Sequence, residues 1–136
     1  MEKSILRQLV VISITGLFAA CTKANIESSK EKVVALHDCT HQAIAPYICF
    51  DSLVTDSRCP AGAECIWQGT AIVEITFSET GNLHHFTMSL KGFPSLGYPN
   101  DTTINGYTII FTDLKPYPDI NHPQATETKA FFSISQ

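Results

Sequence analysis

The sequence predicts an all-β domain, an antiparallel β-sandwich of six or seven strands, with a small β-barrel as the alternative. Three observations predict it. Apolar residues recur at every second position in several short runs, clusters of Gly, Pro, Asn and Asp separate those runs, and nothing after residue 32 carries the period of an amphipathic helix. Alternation puts successive side chains on opposite faces of a strand, so one face enters a core and the other stays wet. Six or seven such strands in about 100 residues suit a sandwich or a small barrel.

The chain has 136 residues, and its start has a different character from the rest. Lys3 and Arg7 precede an almost wholly apolar stretch from Leu9 to Phe18, which ends in Ala19-Ala20-Cys21. This is the three-part pattern of an export signal over residues 1–20, and it is shorter than the roughly 20 apolar residues of a membrane-spanning helix. Leu17 to Cys21 resembles the bacterial lipobox, in which small residues precede a cysteine that takes a diacylglyceryl group. Phe18 departs from that pattern, but its bulk would equally obstruct ordinary signal peptidase. Cys21 is therefore the expected lipidation site, and the multiple acyl chains of such an anchor hold the protein to a membrane.

Cysteine parity agrees. There are five cysteines, and a lipid on Cys21 leaves Cys39, Cys49, Cys59 and Cys65, an even number that reads as two disulfides in an exported chain. Removing residues 1–20 leaves 7 basic and 12 acidic residues, a balance of −5. That balance gives no electrostatic footprint for nucleic acid. Charged residues make up 16% of the chain with no low-complexity tract, which excludes a disordered polyelectrolyte and favours a packed core.

From the expected lipidated residue to Lys32 the chain is polar and mixed in charge, so residues 21–32 read as anchor and flexible tether and residues 33–136 as the domain. The candidate strands are Ala43 to Leu53, Ile66 to Phe77, Leu83 to Lys91, Tyr107 to Leu114 and Lys129 to Ser135. In the second run Cys65, Trp67, Gly69, Ala71, Val73, Ile75 and Phe77 share one parity and predict the core face. Ile66 and Ile72 break the polar face, as residues covered by a neighbouring segment would. Glu79 to Asn82 predicts a hairpin turn, after which Phe86, Met88 and Leu90 point in and His85, Thr87, Ser89 and Lys91 point out. Tyr107, Ile109 and Phe111, and later Ala130, Phe132 and Ile134, repeat the alternation. Turns are expected at Gly92 to Asp101, at Asn105-Gly106 and at Lys115 to Pro123.

The densest chemistry lies between Asp56 and Gly69. Cys59 and Cys65 flank five residues that include Pro60 and Gly62, so they can close a small loop. Four cysteines allow three pairings, and the local ones, Cys59 with Cys65 and Cys39 with Cys49, are favoured. This stretch resembles a family of small exported bacterial proteins and lipoproteins with the signature D-S-R-C-P-x(4)-C-x-W-x-G. Here it is Asp56 to Gly69, followed by the aliphatic run Ala71 to Phe77 and by a late P-x-P element, Asp113 to Pro118. The resemblance covers about 90 residues. It implies export and the pairing of Cys59 with Cys65, with Cys39 and Cys49 as additions, and it implies no particular activity.

Candidate binding residues follow from the loop: Arg58, Pro60, Glu64 and Trp67. Arg58 would either present a basic tip or pair with Asp56 or Asp51 and pin the loop. Trp67, by parity with Cys65, reads first as a core aromatic against the disulfide and second as a ligand floor. His37, His41, His84, His85 and His122 have no zinc-site spacing, and a disulfide-bonded Cys39 cannot ligate, so no metal or other cofactor is expected. No nucleophile elbow, metalloprotease helix, phosphate loop or dinucleotide fingerprint occurs, and no catalytic residue is assigned. The Asn100-Asp101-Thr102 acceptor pattern is not expected to be glycosylated in a bacterial export product.

The expected function is that of a non-catalytic envelope lipoprotein, held to the membrane through Cys21 and displaying its disulfide-closed loop to a protein or glycan. The alternative is a protease inhibitor acting through Arg58-Cys59-Pro60, whose closed loop would lose little entropy on docking. A metal-binding or redox module is the weaker alternative.

Overall fold

Strict alternation from Ala71 onward becomes a buried strand, and the rest of the fold is assembled around it. The computed structural model describes residues 30–40, 45–92, 96–121 and 127–136. The expected signal peptide, the lipidation site Cys21, the first eight tether residues, His41 and His122 lie outside the described residues. Eight strands follow one another: β1 (Lys30–Ala35), β2 (Asp38–Cys39), β3 (Tyr47–Asp56), β4 (Ala71–Glu79), β5 (Asn82–Ser89), β6 (Asp101–Ile104), β7 (Tyr107–Lys115) and β8 (Lys129–Ser135). They form two antiparallel sheets of four, in the orders β1-β8-β7-β6 and β2-β3-β4-β5. Among the described residues the fold is thus a sandwich of two separate sheets, not a closed barrel, with eight strands where six or seven were expected.

The core lies between the sheets. Ile48, Phe50, Val73, Ile75, Phe77 and Met88 come from one sheet and meet Val34, Ile109, Phe111, Leu114, Phe132 and Ile134 from the other. Phe111 and Phe132 stack at 5.4 Å, and Phe77 meets Tyr107 edge-on at 5.6 Å. Each fully buried aliphatic or aromatic side chain contributes about 1.5–3 kcal/mol relative to exposure, so the core dominates stability. Two tight turns close the far end of the sandwich. Thr80-Gly81 joins β4 to β5 and Asn105-Gly106 joins β6 to β7, all four residues at positive φ. That conformation is the one a two-residue hairpin requires. The Asn105 amide donates to the buried Glu79 carboxylate and ties the turns together across the two sheets.

Several expectations shift. β1 starts at Lys30, so Lys30 to Lys32 are strand, paired with β8, and not the end of the tether. β3 starts at Tyr47 and runs to Asp56, later than the expected 43–53. The run beginning at Ile66 becomes strand only at Ala71, because Gly69, at φ 60°, turns the chain. Ser89 points outward by parity yet is fully buried, since Thr70 and the Pro99-Asn100 segment close over it. Both local disulfides are present, Cys39–Cys49 across the paired positions of β2 and β3, and Cys59–Cys65 within the connection from β3 to β4.

Candidate functional site

The β3–β4 connection, residues 57–70, is built from its base upward. Its two stems continue the ladder: Ser57 N–H donates to the Thr70 carbonyl at 2.9 Å and Cys59 N–H to the Gln68 carbonyl at 2.9 Å. Between them the backbone of Gly69 passes so close to Ser57 that a Cβ would stand 1.7 Å from the Ser57 carbonyl oxygen. Only glycine fits there, which gives the last residue of the D-S-R-C-P-x(4)-C-x-W-x-G pattern a steric reason.

Arg58 locks this base to the other sheet. Its guanidinium takes the Asp56 carboxylate in a bidentate grip, Nε to Oδ1 at 2.8 Å and a terminal nitrogen to Oδ2 at 2.7 Å. The remaining donors reach the carbonyls of Leu114 at 2.6 Å and Pro116 at 3.0 Å, and the group lies 4.8 Å from the centre of the Tyr117 ring. A planar fork of five donors is suited to such a junction, where an ammonium is not. The Asp56–Arg58 motif and the Asp113–Pro118 element, far apart in sequence, therefore meet at one guanidinium. Further along, Ala61 N–H donates to the Pro118 carbonyl and Ile120 N–H to the Ala61 carbonyl, at 2.8 and 3.2 Å. The cystine loop is stitched to its neighbour on two sides.

The Arg58 side chain is only 3% exposed, so it forms no basic tip. A protease-binding role for Arg58-Cys59-Pro60 would need that guanidinium at the surface, and releasing it would leave a carboxylate and two carbonyls unpaired. Pro60 is half-buried, and its carbonyl accepts from Ala63 N–H to make the turn. Glu64 is exposed.

The largest departure from expectation is Trp67. It is not in the core: it is 79% exposed, and Ile66 beside it is 94% exposed rather than covered by a neighbour. The parity reading started the strand at Ile66 and carried it through Gly69, but the strand begins only at Ala71. Tyr117 and Ile120, at the surface of the stitched neighbouring segment, are 48% and 57% exposed. The loop end thus shows an apolar, partly aromatic surface whose base is clamped.

A second, shallower feature lies on the outer face of the β3-β4-β5 sheet, a depression of about 310 Å³ lined by Asp51, Glu74, Ile75, His85, Phe86 and Thr87. The Thr76 hydroxyl donates to Asp51 at 2.6 Å and contacts His85 Nδ1 at 2.7 Å, while Ser52 donates to Glu74 at 2.6 Å. Sequence reasoning placed His84 and His85 on opposite faces, as they are, but did not bring Asp51 and His85 to the same Thr76 hydroxyl, because that meeting depends on the pairing of three strands. Among the described residues no three His, Cys, Asp or Glu side chains converge on a metal position.

The Asn100 amide donates to the carbonyls of Ser89, Leu90 and Phe111, at 3.3, 2.9 and 2.8 Å, bridging the sheets rather than presenting itself for modification. Comparison with family models, with curated proteins and with solved structures returned no match.

Proposed function

We propose that the chain is an exported, lipid-anchored protein of the bacterial envelope, without catalytic activity, that binds an envelope protein or glycan through its cystine loop. The observation that carries the binding reading is the exposure of Ile66 and Trp67 on a loop whose stems are clamped by Arg58, Gly69 and the Cys59–Cys65 bridge. Apolar side chains held in water add nothing to the core. Held on a preorganised loop, they lose little freedom on docking, and tryptophan is enriched among the residues that dominate binding energy. Export and anchoring are supported by the leader pattern, by the Cys21 context and by two disulfides, which persist in oxidising compartments. The resemblance to exported proteins of the same signature supports the same placement.

The test has two parts. Intact mass of the protein extracted from membranes is expected to show a product beginning at an acylated Cys21, and reduction is expected to add two hydrogens for each of two bridges. In parallel, Ile66→Ser with Trp67→Ala is expected to abolish retention of native-envelope components with an unchanged unfolding midpoint. Full retention by that double variant would remove the loop as the binding surface.

A further inference from the structure

The two disulfides are supported in different ways. Cys39 and Cys49 stand opposite each other in β2 and β3, and Cys49 is only 8% exposed. Backbone bonds flank the pair on both sides, from His37 N–H to the Phe50 carbonyl and from Thr40 N–H to the Ile48 carbonyl, each 2.8 Å. They keep the two sulfurs side by side whether or not these are joined. The Cys59–Cys65 bridge has such support at one end only. Cys59 N–H is bonded to the Gln68 carbonyl, whereas among the described residues the backbone of Cys65, Ile66 and Trp67 makes no hydrogen bond. Glu64 to Gln68 are all exposed, and of these Gln68 is steadied by the Lys91 ammonium at 2.8 Å. Between the turn that Ala63 closes and Gln68, the cystine is therefore what holds the tip.

We propose that Cys59–Cys65 is a thiol-operated switch that a dithiol reductant opens in the folded protein, freeing the Ile66-Trp67 tip, while Cys39–Cys49 is a permanent staple. Exposed disulfides are the labile ones, because a thiolate must reach a sulfur to break the bond. Cys65 is exposed, and it is the point of attack. A thiolate of the reductant forms a new S–S bond with Cys65 Sγ, and Cys59 leaves with the electron pair as a thiolate that takes a proton from water. The reductant's second thiolate then displaces Cys65, which is protonated in turn, so one dithiol becomes a disulfide and one cystine becomes two thiols. The new Cys59 thiol has an acceptor at hand, since its Sγ lies 3.6 Å from the Ala63 carbonyl oxygen. The fold does not open with the bridge. Arg58 and the Ser57–Thr70 bonds hold the stems independently of the sulfurs, so the change stays within the loop. Its effect on binding rests on the reading of the loop proposed above: a tip that has lost its closure must be ordered again when it docks.

Trp67 is the chain's one tryptophan, so its fluorescence reports this loop alone. The folded protein is treated with dithiothreitol at neutral pH without denaturant, alkylated at intervals, and the labels on the four cysteines are read by peptide mass. Cys59 and Cys65 are expected to be labelled at least about ten-fold faster than Cys39 and Cys49, with an unchanged far-ultraviolet circular dichroism spectrum. Equal rates, earlier labelling of Cys39 and Cys49, or loss of the β spectrum as the loop opens would each overturn the switch. The fluorescence anisotropy of Trp67 is expected to fall on reduction to the value of the variant Cys59→Ser with Cys65→Ser, in which dithiothreitol changes nothing, and to return when a small disulfide reoxidises the protein. Unchanged anisotropy with the bridge open would overturn the freeing of the tip. Retention of native-envelope components by the oxidised protein is expected to drop several-fold on reduction. Equal retention by both forms overturns thiol control of binding, whereas no retention by either form overturns the binding reading of the loop alone, the switch being decided by the labelling and the anisotropy.

Discussion

Arg58 ties together two parts of the chain that lie far apart in sequence: its own neighbourhood, through the Asp56 carboxylate, and the 114–117 segment, through the Leu114 and Pro116 carbonyls and the Tyr117 ring. Removing one partner of a buried ion pair leaves the other charge uncompensated, at a cost of about 3–5 kcal/mol. Asp56 retains some contact with water, its side chain being 20% exposed, so Arg58→Ala is expected to lose about 3 kcal/mol in urea unfolding. Arg58→Lys should recover only part of this, because a compact ammonium cannot hold the carboxylate and both carbonyls. The glycines separate two kinds of strain. Gly81→Ala meets open space at positive φ and is expected to cost about 1 kcal/mol, while Gly69→Ala drives a Cβ into the Ser57 backbone and is expected to exceed about 2 kcal/mol. Equal losses at the two positions would show that the close approach at Ser57 relaxes without consequence.

The strands that were legible in the sequence are those whose two faces meet different surroundings. β4, β7 and β8 alternate because the sandwich core lies on one side only, and Val73, Ile75, Phe77, Ile109, Phe111, Phe132 and Ile134 are buried as their parity required. β1 begins Lys-Glu-Lys at a sheet edge, where charge is tolerated and alternation is not enforced, so its start read as tether. β2 has two residues and β6 four, too few to show a period. Trp67 failed for another reason. Alternation does not announce where a chain leaves a sheet, and the residue that marked the exit, Gly69, was read as one more position on the apolar face. The two ends of the Arg58 junction lie more than fifty residues apart, and no periodicity or spacing in either segment joins them. The cystine loop also makes a prediction as an element. Cys59→Ser with Cys65→Ser removes a constraint on a short loop, about 2 kcal/mol by chain entropy. With the stems still held by Arg58 and Gly69, limited proteolysis of this variant is expected to cut first within residues 60–68. Hydrogen exchange in β4 and β7 should keep the protection pattern of the parent. First cleavage elsewhere would show that the bridge supports more than its own loop.

At the scale of the molecule, the two sheets are joined through polar contacts at both ends as well as through the core. Asn100 and Arg58 cross at one end, and Asn105 with Glu79 at the other. The sheet order adds a further constraint, because β8, the last strand in sequence, is interior and lies between β1 and β7. A chain ending before Lys129 would lose Ala130, Phe132 and Ile134 from the core and leave β1 without its ladder partner. Such a truncation is expected to show no cooperative thermal transition by circular dichroism, whereas retention of one would mean that the β2-β3-β4-β5 sheet folds on its own. The same arrangement bears on how the protein is made. Half of the sandwich stays open until the ribosome has delivered the closing strand, so a nascent chain cannot reach its compact form early. A polypeptide held open in this way remains threadable, which would suit the export proposed above.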